Sequence, residues 1–327
     1  MTIIPRIAQA MQEVLTETAD AIARSSGFIK RLRKLTASKF VQTLVFTWLA
    51  KPNASYEELA QTAACLGVKI TPQAIEQRFT PQAAELLKQT LFAGVGQLIE
   101  ANPVAVAVLQ RFNGVYLDDS TTVVLPDELK ELWSGCGGSC PKNTQSALKI
   151  QVRLNFSSGG LTHLGLSDGC ESDQNAPMQN SPIPQGGLRI ADLGYFNLDV
   201  LVKQTDNGSY WLSRLKLSTG ILTLDKQRLD LGQMLAQHEG DGIDQQILLG
   251  VTAQIPTRLL AARVPPEVAN QRRRRIRQQA KRKGQTPSCQ QLHLADWTIL
   301  VTNAPVDKLS LAQALVLLRV RWQIELL

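Results

Sequence analysis

No stretch of the 327-residue chain reaches the ~18 consecutive apolar residues needed to cross a bilayer, which argues against a membrane-spanning helix. A secretory leader is not expected either: the first helical stretch carries Glu13, Glu17 and Asp20 where a signal peptide needs an uncharged core. Cysteines are few and odd in number (Cys65, Cys136, Cys140, Cys170, Cys289), so no disulfide framework is expected and a reducing, cytoplasmic compartment is the default. Cys136-Gly137-Gly138-Ser139-Cys140 lacks the further pair that structural zinc requires, and His163, His238 and His293 are scattered, so it reads as a Gly-rich loop. There is no Walker phosphate loop, no His-Glu-x-x-His, no Gly-x-Ser-x-Gly and no Gly-x-Gly-x-x-Gly, which removes most common enzyme signatures.

What is present is an ordinary globular composition, 44% apolar and 19% charged, at a length of two or three domains. The net charge of +7 is unevenly placed. Arg24 to Lys39 holds six basic residues and no acid (Arg24, Lys30, Arg31, Arg33, Lys34, Lys39). Residues 272 to 283 hold eight more and no acid: Arg272, Arg273, Arg274, Arg275, Arg277, Lys281, Arg282 and Lys283. Without these two patches the remainder carries −7. Mutual repulsion in such runs is unfavourable without a nearby anion, so a nucleic-acid backbone is favoured over a merely solvated face.

Residues 1 to about 105 read as helices. Ile7, Met11, Val14 and Leu15 recur at helical spacing, as do Phe40, Leu44, Val45 and Trp48. Ser55-Tyr56-Glu57-Glu58 is a capping box opening a helix that runs to about Cys65 and stops at Gly67. Thr71-Pro72-Gln73-Ala74 and Thr80-Pro81-Gln82-Ala83 repeat one word, Thr as N-cap and Pro at the first helical position. A helix to Cys65, a turn and a helix from Pro72 have the spacing of a DNA-reading helix-turn-helix, with a plain helical bundle as the alternative. The adjacent basic segment favours DNA.

Strands follow. Val115 to Asp119 is a β run ending in two carboxylates, and Leu148 to Phe156 alternates as a half-buried strand. A turn at Ser157 to Gly160 leads back through Leu161 to Leu166 as a hairpin. Leu188 to Ala191 is a short strand ending at Asp192, with a helix expected near Asn197. A carboxylate at a strand end is usually solvated; two of them, Asp119 and Asp192, suit a shared divalent cation, because hard cations take oxygen ligands. Further strands are expected at Tyr210 to Lys216, Ile221 to Leu224 and Ile247 to Ile255. An exposed helix is expected over Gln271 to Lys283, a strand over Trp297 to Asn303 and a last helix from about Lys308.

Three blocks in order now resemble a family. Leu117-Asp118-Asp119-Ser120-Thr121, Ala191-Asp192-Leu193-Gly194-Tyr195-Phe196 and Arg321-Trp322-Gln323-Ile324-Glu325 look like those of insertion-sequence transposases of the Asp-Asp-Glu class, in particular the bacterial subgroup with a Tyr-Arg-Glu-Lys signature. The resemblance covers nearly the whole chain. It implies an α/β fold: a ribonuclease-H-like catalytic core with a helical N-terminal domain and a mostly β insertion before the last block. On this chain that places a DNA-binding domain at 1–105, the core at 106–208 and 291–327, and the insertion, with its basic segment, at 209–290. It implies Asp119, Asp192 and Glu325 as catalytic ligands of two Mg²⁺ or Mn²⁺ ions. Asp119 is preferred to Asp118 because it directly precedes Ser120-Thr121. It further implies that Arg321 holds a phosphate, that Trp297 stacks on a flipped base, and that the partner is double-stranded DNA, at transposon ends and target. Arg272, Arg273, Arg274, Arg275 and Arg277 are the candidate backbone contacts.

Two departures from the signature stand out. Its Tyr falls on Leu318, and its Lys would fall past Leu327, as would the segment that pairs subunits into a homodimer in the family. The expectation is therefore a C-terminally truncated transposase, with a catalytically inactive remnant that only binds DNA as the alternative.

Overall fold

The computed structural model describes residues 3–29, 34–98, 107–135, 146–282 and 284–320. Met1–Ala101 and Asn102–Leu327 are two compact units. The Cys136–Cys140 loop, Arg321 and Glu325 lie outside the described residues.

The first unit is helical: α1 (Ile3–Glu13), a π-helical turn (Val14–Thr18), α2 (Ala19–Ser25), α3 (Ala37–Ala50), α4 (Tyr56–Cys65), α5 (Pro72–Glu76) and α6 (Pro81–Leu98). Local chemistry sets its helix starts. Ser55 and Glu58 form both bonds of the capping box. The Thr71 and Thr80 hydroxyls accept the backbone N–H of Ala74 and Ala83 at 3.2 and 3.3 Å. Each such cap contributes about 1 kcal/mol. Gly67, at φ +82°, stops α4 in a conformation open to glycine. Phe40, Leu44, Leu59, Ile75 and Leu86 fill the core of this unit. Helix α5 is only five residues long.

The second unit is mixed α/β. Its strands are β1 (Val115–Val124), β2 (Ala147–Asn155), β3 (Gly160–Asp168), β4 (Leu188–Ala191), β5 (Tyr210–Arg214), β6 (Ile221–Leu222), β7 (Gly242–Leu249), β8 (Ile255–Arg263) and β9 (Trp297–Thr302). Its helices are α7 (Leu198–Asp206), α8 (Leu231–Gln237), α9 (Pro266–Arg282), α10 (Cys289–Leu294) and α11 (Leu311–Val320). The strands form one sheet in the order β3-β2-β1-β4-β5-β9-β8-β7-β6. Strands β1, β4 and β5 run parallel, and the remaining pairings are antiparallel. Residues 209–290 thus supply β5 at the centre of the sheet and β6, β7 and β8 at one side, continuous with the rest.

The two faces carry different cores. On one face Val115, Leu117, Leu188, Ile190, Leu212 and Leu300 pack with Ala314, Leu317 and Leu318 of α11. On the other Trp211, Leu259 and Val301 pack with Leu201 of α7 and Leu235 of α8. Two expectations change. The apolar run Ile247 to Ile255 is not one strand but the end of β7, a tight turn with Gly250 at φ +80° and Gln254 at φ +46°, and the start of β8. The polar phase of β2 is not solvated: Lys149, Gln151 and Arg153 are buried, covered by the segment 171–181, to which Lys149 and Arg153 bond.

Candidate active site

Strand alternation sorts the two adjacent aspartates. Val115 and Leu117 of β1 point into the α11 cluster, so Asp119 shares their face. Leu188 and Ile190 of β4 point the same way, and Asp192, extended at φ −71° and ψ 165°, continues their phase. The parallel register ends on Asp118 beside Ala191, so Asp119 and Asp192 are the next residues along neighbouring strands. Such strands lie about 4.8 Å apart. Both aspartates are half-buried. One Asp119 carboxylate oxygen accepts the Ser120 backbone N–H at 2.8 Å.

Asp118 points the other way and is fully buried. Arg153 donates to it from Nε and Nη2 at 2.7 and 2.9 Å, and Arg189 from Nε at 2.6 Å. Burial alone would raise the Asp118 carboxyl, but Arg189 and Arg153 outweigh it and hold the group below its ordinary value. Beyond this triad, Ser120 donates to Asp173 at 2.9 Å, and Lys149 pairs with Asp173 at 3.2 Å. Burial raises the Tyr195 phenol on the same side, with Asp173, Asp118 and Asp119 adding to the effect and Ser120 opposing it.

Arg214 was not among the sequence candidates. It lies two residues past the registered pair Ile190–Leu212, as Asp192 does. It continues the phase of Tyr210 and Leu212 and is exposed. The signal was a cation in the apolar phase of the run Tyr210 to Lys216. Arg272 is close enough that burial first, and then the Arg214 charge, lower its guanidinium. Among the described residues no carboxylate forms an ion pair with either arginine.

The basic run divides by contact. Arg272 donates to the Trp297 carbonyl at 2.8 Å and the Thr298 hydroxyl at 3.0 Å. Arg273 pairs with Asp296 and donates to Asn270 at 3.0 Å. Arg274, Arg275, Arg277, Lys281 and Arg282 are exposed along α9. Trp297 is 5% exposed, in the core of the face opposite α11. The Arg263 guanidinium sits 4.6 Å from its ring centroid and His238 packs edge-on at 6.1 Å, so the indole face is already covered. Leu318, at the signature Tyr position, fills the α11 core.

Asp119 and Asp192 fit a divalent cation as a donor set: two hard oxygen groups on neighbouring chain segments, one within β1 and one just past the end of β4, both half-buried. Among the described residues no third His, Cys, Asp or Glu joins them into a cluster of three.

Comparison with known proteins gives a consistent result. The model of the family described as transposase DDE domain matches residues 111–327. The transposase for insertion sequence element IS231F of Bacillus thuringiensis subsp. israelensis is 26% identical, over 98% of this chain and 71% of its own length. The transposase for IS231B of B. thuringiensis subsp. berliner is 26% identical over 94% and 68%. The transposase for IS1151 of Clostridium perfringens is 23% identical over 94% and 68%.

Proposed function

The chain belongs to the transposase DDE domain family, an enzyme class of insertion sequences, and from that premise we propose that it cleaves and transfers DNA strands at the ends of such an element, in the cytoplasm, with Asp119 and Asp192 as carboxylate ligands of divalent metal and Glu325 as the third. The observation that carries this reading is that Asp119 and Asp192 both follow directly after the last registered β1–β4 pair, on one face, beside a closed face that takes up Asp118. A ribonuclease-H-like core is supported by Asp119 on the first strand, Asp192 directly after the fourth, and a late helix, α11, that precedes Glu325 in the sequence.

Two Mg²⁺ or Mn²⁺ ions, when bound, would supply Lewis-acid activation of the attacking and leaving oxygens at phosphorus. The chain's own residues position the DNA. Arg214 and Arg272, whose charges lie near enough to act on each other and which have no carboxylate partner among the described residues, hold a backbone phosphate beside Asp192. Arg274, Arg275 and Arg277 track the backbone along α9, and Arg321 holds a phosphate near the cut. Trp297 stacks on an unstacked base only if Arg263 leaves its ring, so Arg263 and the base compete for one face.

The test is metal-dependent nicking of DNA carrying the ends of the chain's own element. Cutting by the wild-type chain with Mn²⁺, and none by Asp119→Ala or Asp192→Ala variants that still retain DNA, is the expected result. Undiminished cutting by both variants would overturn the assignment. DNA retention without cutting by the wild type would favour a chain that only binds DNA.

A further inference from the structure

We propose that Asp118, Arg153 and Arg189 are positioning residues, a buried clamp that sets the spacing of Asp119 and Asp192 for divalent metal without touching metal or DNA. The inference rests on the metal reading above and adds a role for residues on the opposite face of the sheet. Its argument is connectivity. Asp118 is the shared acceptor of guanidinium groups from the strands on either side of β1. Arg153 stands directly opposite it on β2, and Arg189 comes from β4, three residues before Asp192. One carboxylate therefore ties the strand of the first metal-ligand candidate to the strand of the second.

The clamp reaches further than the three strands. Arg153 donates Nη1 to the Ser181 carbonyl at 2.7 Å and Nη2 to the Met178 carbonyl at 3.2 Å. Arg189 donates to the Gln179 side chain at 2.9 Å, and Gln179 donates to the Asp173 and Gln174 carbonyls, each at 2.9 Å. The same segment returns Asp173 to Ser120, the residue after Asp119. Asp119 is thus held through both chain neighbours from the face it does not occupy.

Stability alone is a poor account of this arrangement. An ion pair buried this deeply loses its hydration, and replacing such a triad with apolar groups of similar volume is often neutral or stabilising. What the apolar replacement cannot supply is directional bonding that fixes one strand against the next. Groups that orient metal ligands from behind typically change metal affinity about 10–100-fold when altered.

The experiment compares fold and metal affinity in the full chain. Mn²⁺ alone is titrated calorimetrically into the wild type, into the triple variant Asp118→Leu/Arg153→Met/Arg189→Met, and into Arg189→Lys, which keeps a cation beside Asp118 but loses the fork to Gln179. The thermal midpoint of each is recorded. The expected result is a folded triple variant whose Mn²⁺ affinity is at least about tenfold weaker, with a smaller loss in Arg189→Lys. A folded triple variant with wild-type affinity would overturn the clamp and leave the metal reading intact. If the triple variant does not fold, Arg189→Lys decides alone, and unchanged affinity there overturns the clamp. A wild type that binds no Mn²⁺ overturns the metal reading and the clamp together, and in that case Asp119→Ala titrates like the wild type.

Discussion

The two faces of the sheet, where the middle of β1 lies beside the C-terminal end of β4, are built in opposite ways. On one face Asp118, Arg153, Arg189 and Lys149 are buried and bonded to one another or to the segment 171–181, which contributes Gln179. On the other, one residue along each strand, Asp119 and Asp192 stand half-buried above an apolar core, with exposed Arg214 following in phase on β5. Adjacent residues of one type receive opposite tasks because a strand turns successive side chains to opposite faces. The closed face is held by ion pairs and hydrogen bonds, and the open face is the one proposed to bind metal, so the same substitution should read out differently on each.

The largest contrast comes from removing each aspartate in turn. Asp118→Ala leaves two buried guanidinium groups without their counter-charge and should cost about 3–5 kcal/mol in chemical denaturation. Asp119→Ala, which leaves no buried guanidinium pair without its counter-charge, should cost clearly less stability than Asp118→Ala while abolishing metal-dependent nicking. Equal losses of stability would break the comparison.

A second contrast lies within α9. Replacing Arg274, Arg275 and Arg277 together with Ala should lower the slope of log affinity for DNA against log salt by about 2.7, at about 0.9 per phosphate contact, with the thermal midpoint unchanged. Arg273→Ala, which removes the pair with Asp296, should instead lower the midpoint by an amount worth about 1 kcal/mol or less, as for a partly exposed ion pair. An unchanged salt slope in the triple variant would remove α9 from the DNA surface.

The smallest expected effect is in pH. Burial lowers the His163 imidazole from its ordinary 6.5; the Arg153 charge adds to that and Asp118 opposes it. The unfolded chain therefore takes up the proton first, and stability should fall as pH drops below about 6.5 toward the depressed folded value. His163→Gln should flatten the profile in that window. The Asp118 carboxyl, held low by its arginines, acts further down. Its contribution is present above the ordinary carboxylate value and is lost as pH falls through the folded one.

Much of the first unit could be read directly, because helix starts are local. Ser55 with Glu58, Thr71 with Ala74 and Thr80 with Ala83 each complete their bonds within three residues. The β2–β3 hairpin was legible for the same reason, its turn lying between two alternating arms. Strand β7 was obscured because Gln245 interrupts its apolar phase between Ile243 and Ile247 and the apolar residues after it run on through a turn. The burial of Lys149, Gln151 and Arg153 was misread because their cover arrives from residues 171–181, outside any local pattern. Arg214 was missed because its neighbours across the sheet come from separate parts of the chain.

By itself the sequence determined the concentration of positive charge in two patches, the helix caps, and two apolar runs each followed by a carboxylate; that β1 continues past Asp119 to Val124 was not legible in it. Tertiary structure alone decided which of two adjacent aspartates is buried, which arginines are pinned to carbonyls and which are exposed, and that the indole of Trp297 is already covered. The physical reason is range. Caps and alternation are satisfied within a few residues, whereas Asp118 finds Arg153 and Arg189 at separations of 35 and 71 residues. Such pairings exist only once the sheet has assembled its strands out of chain order.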